Sequence, residues 1–355
     1  MNPAPRAPTL GARVRAPDPT IPRRQKDMHI PFAHARRAIL AASLLAACGA
    51  TLAQAAYPNK PVQVIVPLQA GSAADVGTRV VLAKVGQNMG ASFAIENQPG
   101  ASGLVGADRI ARAAPDGYVL GGITDSVLNY AVNLAARTSF DPLNDFEPIG
   151  RMANIAWVLV ANNNAAKSAN ELVAQAQAQA QPRKLDYASG GPGSPHHIAM
   201  ELFSAANKVQ LTHVPYKGAT QATMDVAGGQ VPVMFSAISV ALPLIKDGKL
   251  RPLAQAAERR SSLLPDVPTF TEAGMPAFNF STWLGLYAPK GTPKAIVDRL
   301  NAEVARALAD PGVRERLLGL GLDPAPSTPA QLGELTRAGH ARIGKVIRDA
   351  GIKAE

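Results

Sequence analysis

Short apolar runs alternate with amphipathic segments along most of the chain. The run 61–67, PVQVIVP, is apolar at nearly every position and ends in proline, which is typical of a buried strand. Over 75–86, Val76, Val80 and Ala83 recur at helical spacing. The same analysis predicts strands over 92–97, 118–123, 147–162, 185–188, 209–215, 231–236, 250–256 and 278–289, and helices over 106–114, 170–181, 196–206, 219–227, 240–246, 293–309, 311–320 and 329–350.

This order of strands and helices predicts an α/β protein built on mostly parallel sheets with helices on both faces. In such sheets a ligand binds in the crevice at the carboxyl ends of the strands. The loops that directly follow predicted strands are therefore the places to search for function. Four such loops stand out, at 68–75, 124–126, 189–196 and 236–239, and Asp125 or Ser126 is expected to cap the helix after the second.

The loop 69–75, QAGSAAD, has the composition of an anion site without a cationic side chain. Gly71 lets backbone N–H groups face outward, Ser72 supplies a hydroxyl, and the helix beginning near Asp75 adds the positive end of its dipole. The same residues are also what ordinary turns and helix caps use. Both interpretations remain open from the local sequence alone.

A second loop, 189–196 (SGGPGSPH), repeats this pattern with Gly191, Gly193, Ser194 and a helix start at His196. Two such loops facing each other could hold one carboxylate between them.

Composition places the chain among globular proteins, and its charge does not predict a nucleic-acid partner. Of 355 residues 47% are apolar and 17% charged, and the length predicts about two domains. The formal charge of +10 is misleading, because residues 1–55 contain eight Lys and Arg against two Asp and Glu. The remaining chain is only weakly basic, so we expect no nucleic-acid partner.

The first 55 residues have the pattern of a secretion signal, with Met28 as an alternative start. Two arginines at 36–37 precede the short apolar run 38–47, and Ala-Gln-Ala at 53–55 fits the cleavage rule. Leu-Ala-Ala-Cys at 45–48 also resembles a lipobox, which would make Cys48 a lipidated N-terminus. Either alternative predicts a protein outside the inner membrane, and the mature part would have no cysteine.

Enzyme signatures are weak. The glycines of 100–106 follow GxxGxxG rather than GxGxxG, and neither a phosphate-binding GxxxxGK[ST] loop nor a GxSxG elbow is found. His196 and His197 are adjacent, so on a helix they diverge and cannot chelate one metal. Trp283 and Tyr287 have the alternation of a buried strand. We expect no catalytic residues, no cofactor and no metal.

Read in order, the motifs of the chain resemble one family, the Bug-type extracytoplasmic receptors of tripartite tricarboxylate transporters. The resemblance runs from Tyr57 to about Leu322. It rests on the segments 57–61, 96–101, 114–118, 140–146, 213–218, 229–231, 264–269, 283–286 and 288–293.

The resemblance implies a periplasmic-binding-protein fold, type II-like, with two lobes, two crossover strands and a ligand cleft between the lobes. Lobe one would comprise 57–156 with 281–355, and lobe two 157–280, after removal of the leader 1–55. The crossovers would be the strands predicted over 147–162 and 278–289.

The resemblance also implies a function: a monomeric periplasmic protein that captures a small organic acid for the membrane permease subunits of a tripartite transporter. Family members bind dicarboxylates, amino acids or aromatic acids, and hold one carboxylate with two Gly/Ser loops and bridging waters. The candidate ligand-binding residues are Gly71, Ser72, Asp75, Ser126, Gly191, Gly193, Ser194 and His196.

Three positions depart from the family pattern and bear on ligand identity. Ala70 replaces a frequent glycine, Ser236 and Ala237 stand where many members have an aspartate, and Pro195 precedes two histidines.

Two alternative functions remain: a receptor that reports to a membrane signalling partner, and a hydrolase using Ser194 and His196. The second is disfavoured, because these two side chains would point in different directions from a helix start.

Overall fold

The fold is built on ten strands that form two sheets sharing one long strand, within residues 57–178 and 185–353, which a computed structural model describes. Residues 56–355 form a compact unit. The predicted leader, its cleavage after Ala55 and the lipidation of Cys48 lie outside the described residues. The strands are β1 (Val62–Val66), β2 (Phe93–Asn97), β3 (Val119–Thr124), β4 (Phe146–Asn162), β5 (Leu185–Ser189), β6 (Leu211–Pro215), β7 (Val233–Ala237), β8 (Leu250–Gln255), β9 (Ser281–Pro289) and β10 (Leu322–Pro324).

The first sheet has the order β2-β1-β3-β9-β4. Its first three strands are parallel, as the β-α pattern predicts, whereas β9 runs antiparallel to both β3 and β4. The short strand β10 pairs with β4 on the other side. Parallel strands bring the ends of β1 and β3 to one edge of this sheet.

The second sheet uses the carboxyl-terminal half of the same strand β4. There β4 pairs antiparallel with β7 and β8, and β5 pairs in parallel with β6 and β7. Strand β4 therefore crosses from one sheet into the other, and β9 lies beside its first half.

The helices cover these sheets, and their ends are defined by local signals. Ser72 caps the first helix, and Gly90 ends it in the left-handed conformation that glycine favours. Thr328 and Gln331 form a capping box at the last helix. The helices are α1 (Ala73–Met89), α2 (Leu104–Ala111), α3 (Ala169–Ala178), α4 (Pro195–Asn207), α5 (Ala219–Ala227), α6 (Ile238–Lys246), α7 (Lys294–Ala309), α8 (Pro311–Gly319) and α9 (Pro329–Asp349).

The predicted elements are present with shifted ends. A 3₁₀ turn at Ala101–Gly103 leads into α2, and β9 begins three residues later than predicted. Strand β10 was not predicted, because three residues are too short to show a period. Trp283 and Tyr287 lie buried in one hydrophobic cluster, which confirms their prediction as core residues. The end of the predicted helix 170–181 falls partly on residues outside the described range.

Candidate functional site

A recess opens between the two sheets, at the carboxyl ends of strands from both. It is lined by the loops after β1, β3, β5 and β7 and by the crossing strands β4 and β9. Its cavity volume is about 60 Å³, well below the roughly 300 to 1,000 Å³ typical of small-molecule pockets, so an organic acid would need the cleft to open. We call this recess the cleft.

Ser72 is at the end of the first Gly/Ser loop and lines the cleft. Its backbone is extended and its Oγ accepts a hydrogen bond from the N–H of Asp75 at 3.3 Å, so the side chain caps α1. Gly71 has φ +76°, a left-handed conformation that strains other residues. Because Oγ accepts from the helix, its hydroxyl hydrogen remains available for a ligand.

Asp75 does not line the cleft, although the sequence made it a candidate. Its carboxylate accepts from the N–H of Gly71 at 2.9 Å, from Arg79 Nε at 2.8 Å and from Asn97 Nδ2 at 3.0 Å. The residue is only 4% exposed. Asp75 therefore fixes the shape of the loop that carries Ser72.

The second Gly/Ser loop places Ser194 and His196 on the cleft. Ser194 caps α4 by accepting the N–H of His197 at 3.4 Å, with Pro195 at the first helical position. Gly191 lines an adjoining outer recess instead. Gly193, at φ +71°, donates its N–H to His197 Nδ1 at 3.1 Å and so shapes the loop.

The adjacent histidines diverge as predicted. His196 packs edge-on against Trp157, with ring centroids 5.0 Å apart, whereas His197 stacks on His213 at 4.2 Å. Burial lowers the pKa of His196 to about 3, so its imidazole is neutral at pH 7. Its Nδ1 is buried and has no hydrogen-bond partner within the described part of the chain.

Ser126 and Thr124 line the cleft at the end of β3, and their hydroxyl oxygens are 2.6 Å apart. Ser126 opens a π-helical turn, Ser126–Ala131, a rare geometry often found at functional sites.

Asp125 is at the cap position of this helix, as expected, but its side chain makes no capping hydrogen bond. The side chain instead accepts the N–H of Trp283, at 3.3 Å, from strand β9. Ser126 lies inside the turn rather than at its cap. Burial raises the pKa of Asp125 to about 8, so this carboxyl is mostly protonated at pH 7.

Sequence reasoning missed the residues that reach the cleft from the crossing strands. Trp157 of β4 and Thr282 of β9 line it, and Trp157 Nε1 donates to Thr282 Oγ1 at 2.9 Å. Lys217 also lines its rim and is solvent-exposed. The signal for Lys217 was its place in the motif 213–218; Trp157 and Thr282 gave only an alternation typical of any strand.

The two Gly/Ser loops each make a hydrogen bond across the cleft mouth. Ser102 Oγ donates to the carbonyl of Pro192 at 2.6 Å. Thr220 Oγ1 donates to the carbonyl of Ala70 at 3.2 Å. These contacts join elements on opposite sides of the cleft.

Two further features of the described ranges, 57–178 and 185–353, concern metal binding and membrane insertion. No group of three or more His, Cys, Asp or Glu residues there could hold a metal ion. Among the helices of those ranges, none has the length and apolarity needed to cross a bilayer.

A two-lobed α/β fold with crossover strands and a cleft at converging strand ends defines a solute-binding protein of the periplasmic type, which confirms the predicted fold class. Residues 78–352 match the model of the tripartite tricarboxylate transporter family receptors. The chain belongs to this family, and the resemblance seen in the sequence is confirmed.

Individual relatives agree with this assignment. Protein BugT of Bordetella pertussis is 33% identical over 300 residues, covering 84% of this chain and 91% of BugT. An R. palustris protein solved with adipate has a TM-score of 0.80 and 31% identity, covering 84% of this chain and 99% of its own. MatC from Rhodopseudomonas palustris, with bound malate, has a TM-score of 0.76 and 34% identity, covering 82% and 100%.

Proposed function

We propose that this protein is a periplasmic receptor that captures a small carboxylic acid in the cleft and delivers it to the membrane subunits of a tripartite transporter. The observation that carries the proposal is the pair of serine-capped helix starts, at Ser72 and Ser194, that line the same cleft. Structural relatives with adipate and malate bound support carboxylates as the ligand class.

The physical chemistry of the two helix starts suits an anion. Each helix presents the positive end of its dipole, and each capping serine keeps a hydroxyl hydrogen to donate. His196 adds a neutral ring with an unpaired nitrogen. One carboxylate would accept hydrogen bonds from Ser72, Ser194 and Ser126, directly or through water, while Asp75, Gly71, Gly191 and Gly193 hold the loops in place.

The lobes proposed for this receptor follow the two sheets. Lobe one comprises 57–156 with 281–355, and lobe two comprises 157–280. The division is supported by the pairing of β1, β2, β3 and β9 in one sheet and of β5, β6 and β7 in the other. Binding would close the lobes by a hinge at the crossovers.

Secretion and partner follow from the leader and the family. We propose cleavage after Ala55 or, as the alternative, lipidation of Cys48, with the permease subunits as the membrane partner. The mass of the protein in the soluble periplasmic and membrane fractions tests this directly: a soluble chain beginning at Ala56 supports cleavage, and a membrane-bound chain with a diacylglyceryl mass on Cys48 supports the anchor.

We propose binding without catalysis. Ser194 Oγ is used as a helix cap, and His196 Nδ1 has no partner in the described part of the chain, so no hydrogen bond from this nitrogen activates the serine. Turnover of a panel of esters that is lost in Ser194→Ala would contradict this proposal.

The test of the receptor is thermal unfolding of the periplasmic protein against a panel of small acids. A ligand at one hundred times its Kd stabilises by about 2.7 kcal/mol, which raises the Tm by several degrees. Losing one charge-assisted hydrogen bond costs about 1.5 to 3 kcal/mol, so Ser72→Ala and Ser194→Ala should each raise the Kd about 10-fold to 100-fold.

Both variants also lose a helix cap, so a matched control is needed. Thr328→Ala removes the cap of α9, which does not line the cleft. It should lower the Tm of the free protein by a similar amount and leave the Kd unchanged. The proposal fails if no acid shifts the Tm, or if Thr328→Ala weakens binding as much as the two serine variants do.

A further inference from the structure

One wall of the cleft is apolar and lies where the two crossing strands meet the second sheet. Ile155 and Trp157 come from β4, Ala237 ends β7 and pairs with Trp157, and Val240 lies in the first turn of α6. All four belong to or pack against the same hydrophobic cluster. We call these four residues the apolar wall.

The cleft offers no counter-charge for a cation. Among the described residues that line it, none is Asp or Glu. The two nearby acids are committed elsewhere: Asp75 binds Arg79 and the Gly71 N–H, and Asp125 is buried beneath the Trp283 N–H. An ammonium group enclosed here would lose its hydration without gaining an ionic partner, which is costly.

A second carboxylate would also find no cationic partner at the apolar wall. The cation that lines the cleft, Lys217, is exposed at the rim. Helix α6 begins after Ala237 without a side-chain cap. A second acid there would therefore meet only uncharged donors, the backbone N–H groups of α6 and the hydroxyl of Thr282, which accepts from Trp157 Nε1, at the cost of contact with Val240. The affinity for a diacid, compared with that for the matching monocarboxylate, therefore decides whether the cleft accepts a second carboxylate.

From this geometry we infer that the cleft selects a monocarboxylate with an apolar body and no ammonium group. The inference rests on the proposed function, because the acid group is the one held by the two serine-capped helix starts. The hydrocarbon body packs on the apolar wall, where burying it removes apolar surface from water.

The experiment compares acids that share a six-carbon chain and differ only at the far end. Hexanoate ends in a methyl group, adipate in a second carboxylate and 6-aminohexanoate in an ammonium group. Benzoate, terephthalate and 4-(aminomethyl)benzoate form the equivalent aromatic set. Calorimetric titration of the periplasmic protein should give, in at least one set, a Kd for the monocarboxylate at least tenfold below those of its two partners.

A charge placed on the apolar wall provides the second measurement. Ala237→Asp adds a carboxylate at the cap position of α6, where aspartate favours the helix. It should weaken hexanoate at least tenfold and strengthen 6-aminohexanoate relative to it. Ala237→Asn supplies a cap without charge and should give no gain for 6-aminohexanoate.

The outcomes separate the inference from the proposed function. If in both sets the diacid or the amino acid binds within tenfold of the monocarboxylate or more tightly, and this binding is lost in Ser72→Ala, the inference is overturned and the carboxylate receptor stands. No binding by any of the six acids overturns the inference, and it overturns the proposed function as well if no acid of the wider panel shifts the Tm. An equal gain of 6-aminohexanoate in Ala237→Asp and Ala237→Asn overturns the charge argument, because the cap alone would then explain it.

Discussion

Replacing Asp125 with asparagine should change how the stability of the protein depends on pH. Asp125 is 3% exposed, and burial raises the pKa of its carboxyl to about 8. The unfolded chain releases this proton above its ordinary pKa of about 3.9. Between these two values folding takes up a proton, so raising the pH favours the unfolded state. The contribution is fully present below about pH 4 and is lost as the pH rises towards 8.

The size of the effect follows from the same two values. Each pH unit within that window lowers the free energy of unfolding by about 1.4 kcal/mol. Asparagine keeps an oxygen that can accept the Trp283 N–H and has no proton to release. The stability of the wild type minus that of Asp125→Asn should therefore fall by about 2.7 kcal/mol between pH 5 and pH 7.

Urea unfolding of both proteins at pH 5, 6, 7 and 8 measures this difference directly. Asp125→Ser is the control for packing, because it removes the carboxyl and leaves a small cavity. It should be less stable than Asp125→Asn at every pH, with the same slope against the wild type. Parallel stability curves for wild type and Asp125→Asn would refute the buried neutral carboxyl.

Three further substitutions test the packing around Gly122, the neutral ring of His196 and the hydrogen bond made by Ser102 at the mouth of the cleft. Gly122→Ala would place a Cβ 2.5 Å from Thr78 Oγ1 and should lower the free energy of unfolding in urea by about 1 to 3 kcal/mol. The control Gly319→Ala, whose Cβ would meet nothing within 4 Å, should leave this free energy unchanged. Equal losses in the two variants would contradict the overpacking argument. Because the pKa of His196 is lowered to about 3, the free energy of unfolding of the wild type should fall by about 1.4 kcal/mol per pH unit relative to that of His196→Asn as the pH falls from 6 to 4. A difference that stays constant with pH would show that the His196 ring is not held neutral by burial. Ser102→Ala removes one hydrogen bond across the cleft mouth and should raise the Kd of a bound acid about fivefold, from a net loss of about 1 kcal/mol, mainly through faster dissociation in stopped-flow measurements; an unchanged dissociation rate would show that this bond does not hold the cleft closed.

Local sequence patterns predicted most strands and helices because the signals involved act over short distances. The apolar run of β1 and the glycine and serine at the start of α1 need no knowledge of the rest of the chain. The two Gly/Ser loops were predictable in the same way, and Ser72 and Ser194 both lie on the cleft. Their ligand-binding role remains a prediction.

Long-range contacts account for what the sequence could not predict. Asp125 had the local context of a helix cap, but its partner Trp283 is 158 residues away. Trp157 and Thr282 meet at the cleft only because β4 and β9 are neighbours. A strand shows alternation without showing which face will line a cavity, so these two residues carried no distinguishing signal.

Strand β4 has a consequence for how the molecule unfolds. One strand supplies ladder partners to both sheets, pairing with β9 and β10 in one and with β7 and β8 in the other. If either half of β4 melts, the other half loses the continuous strand that holds it in place. The two lobes should therefore unfold together as one cooperative unit. Calorimetry should record a single peak whose van't Hoff and calorimetric enthalpies agree.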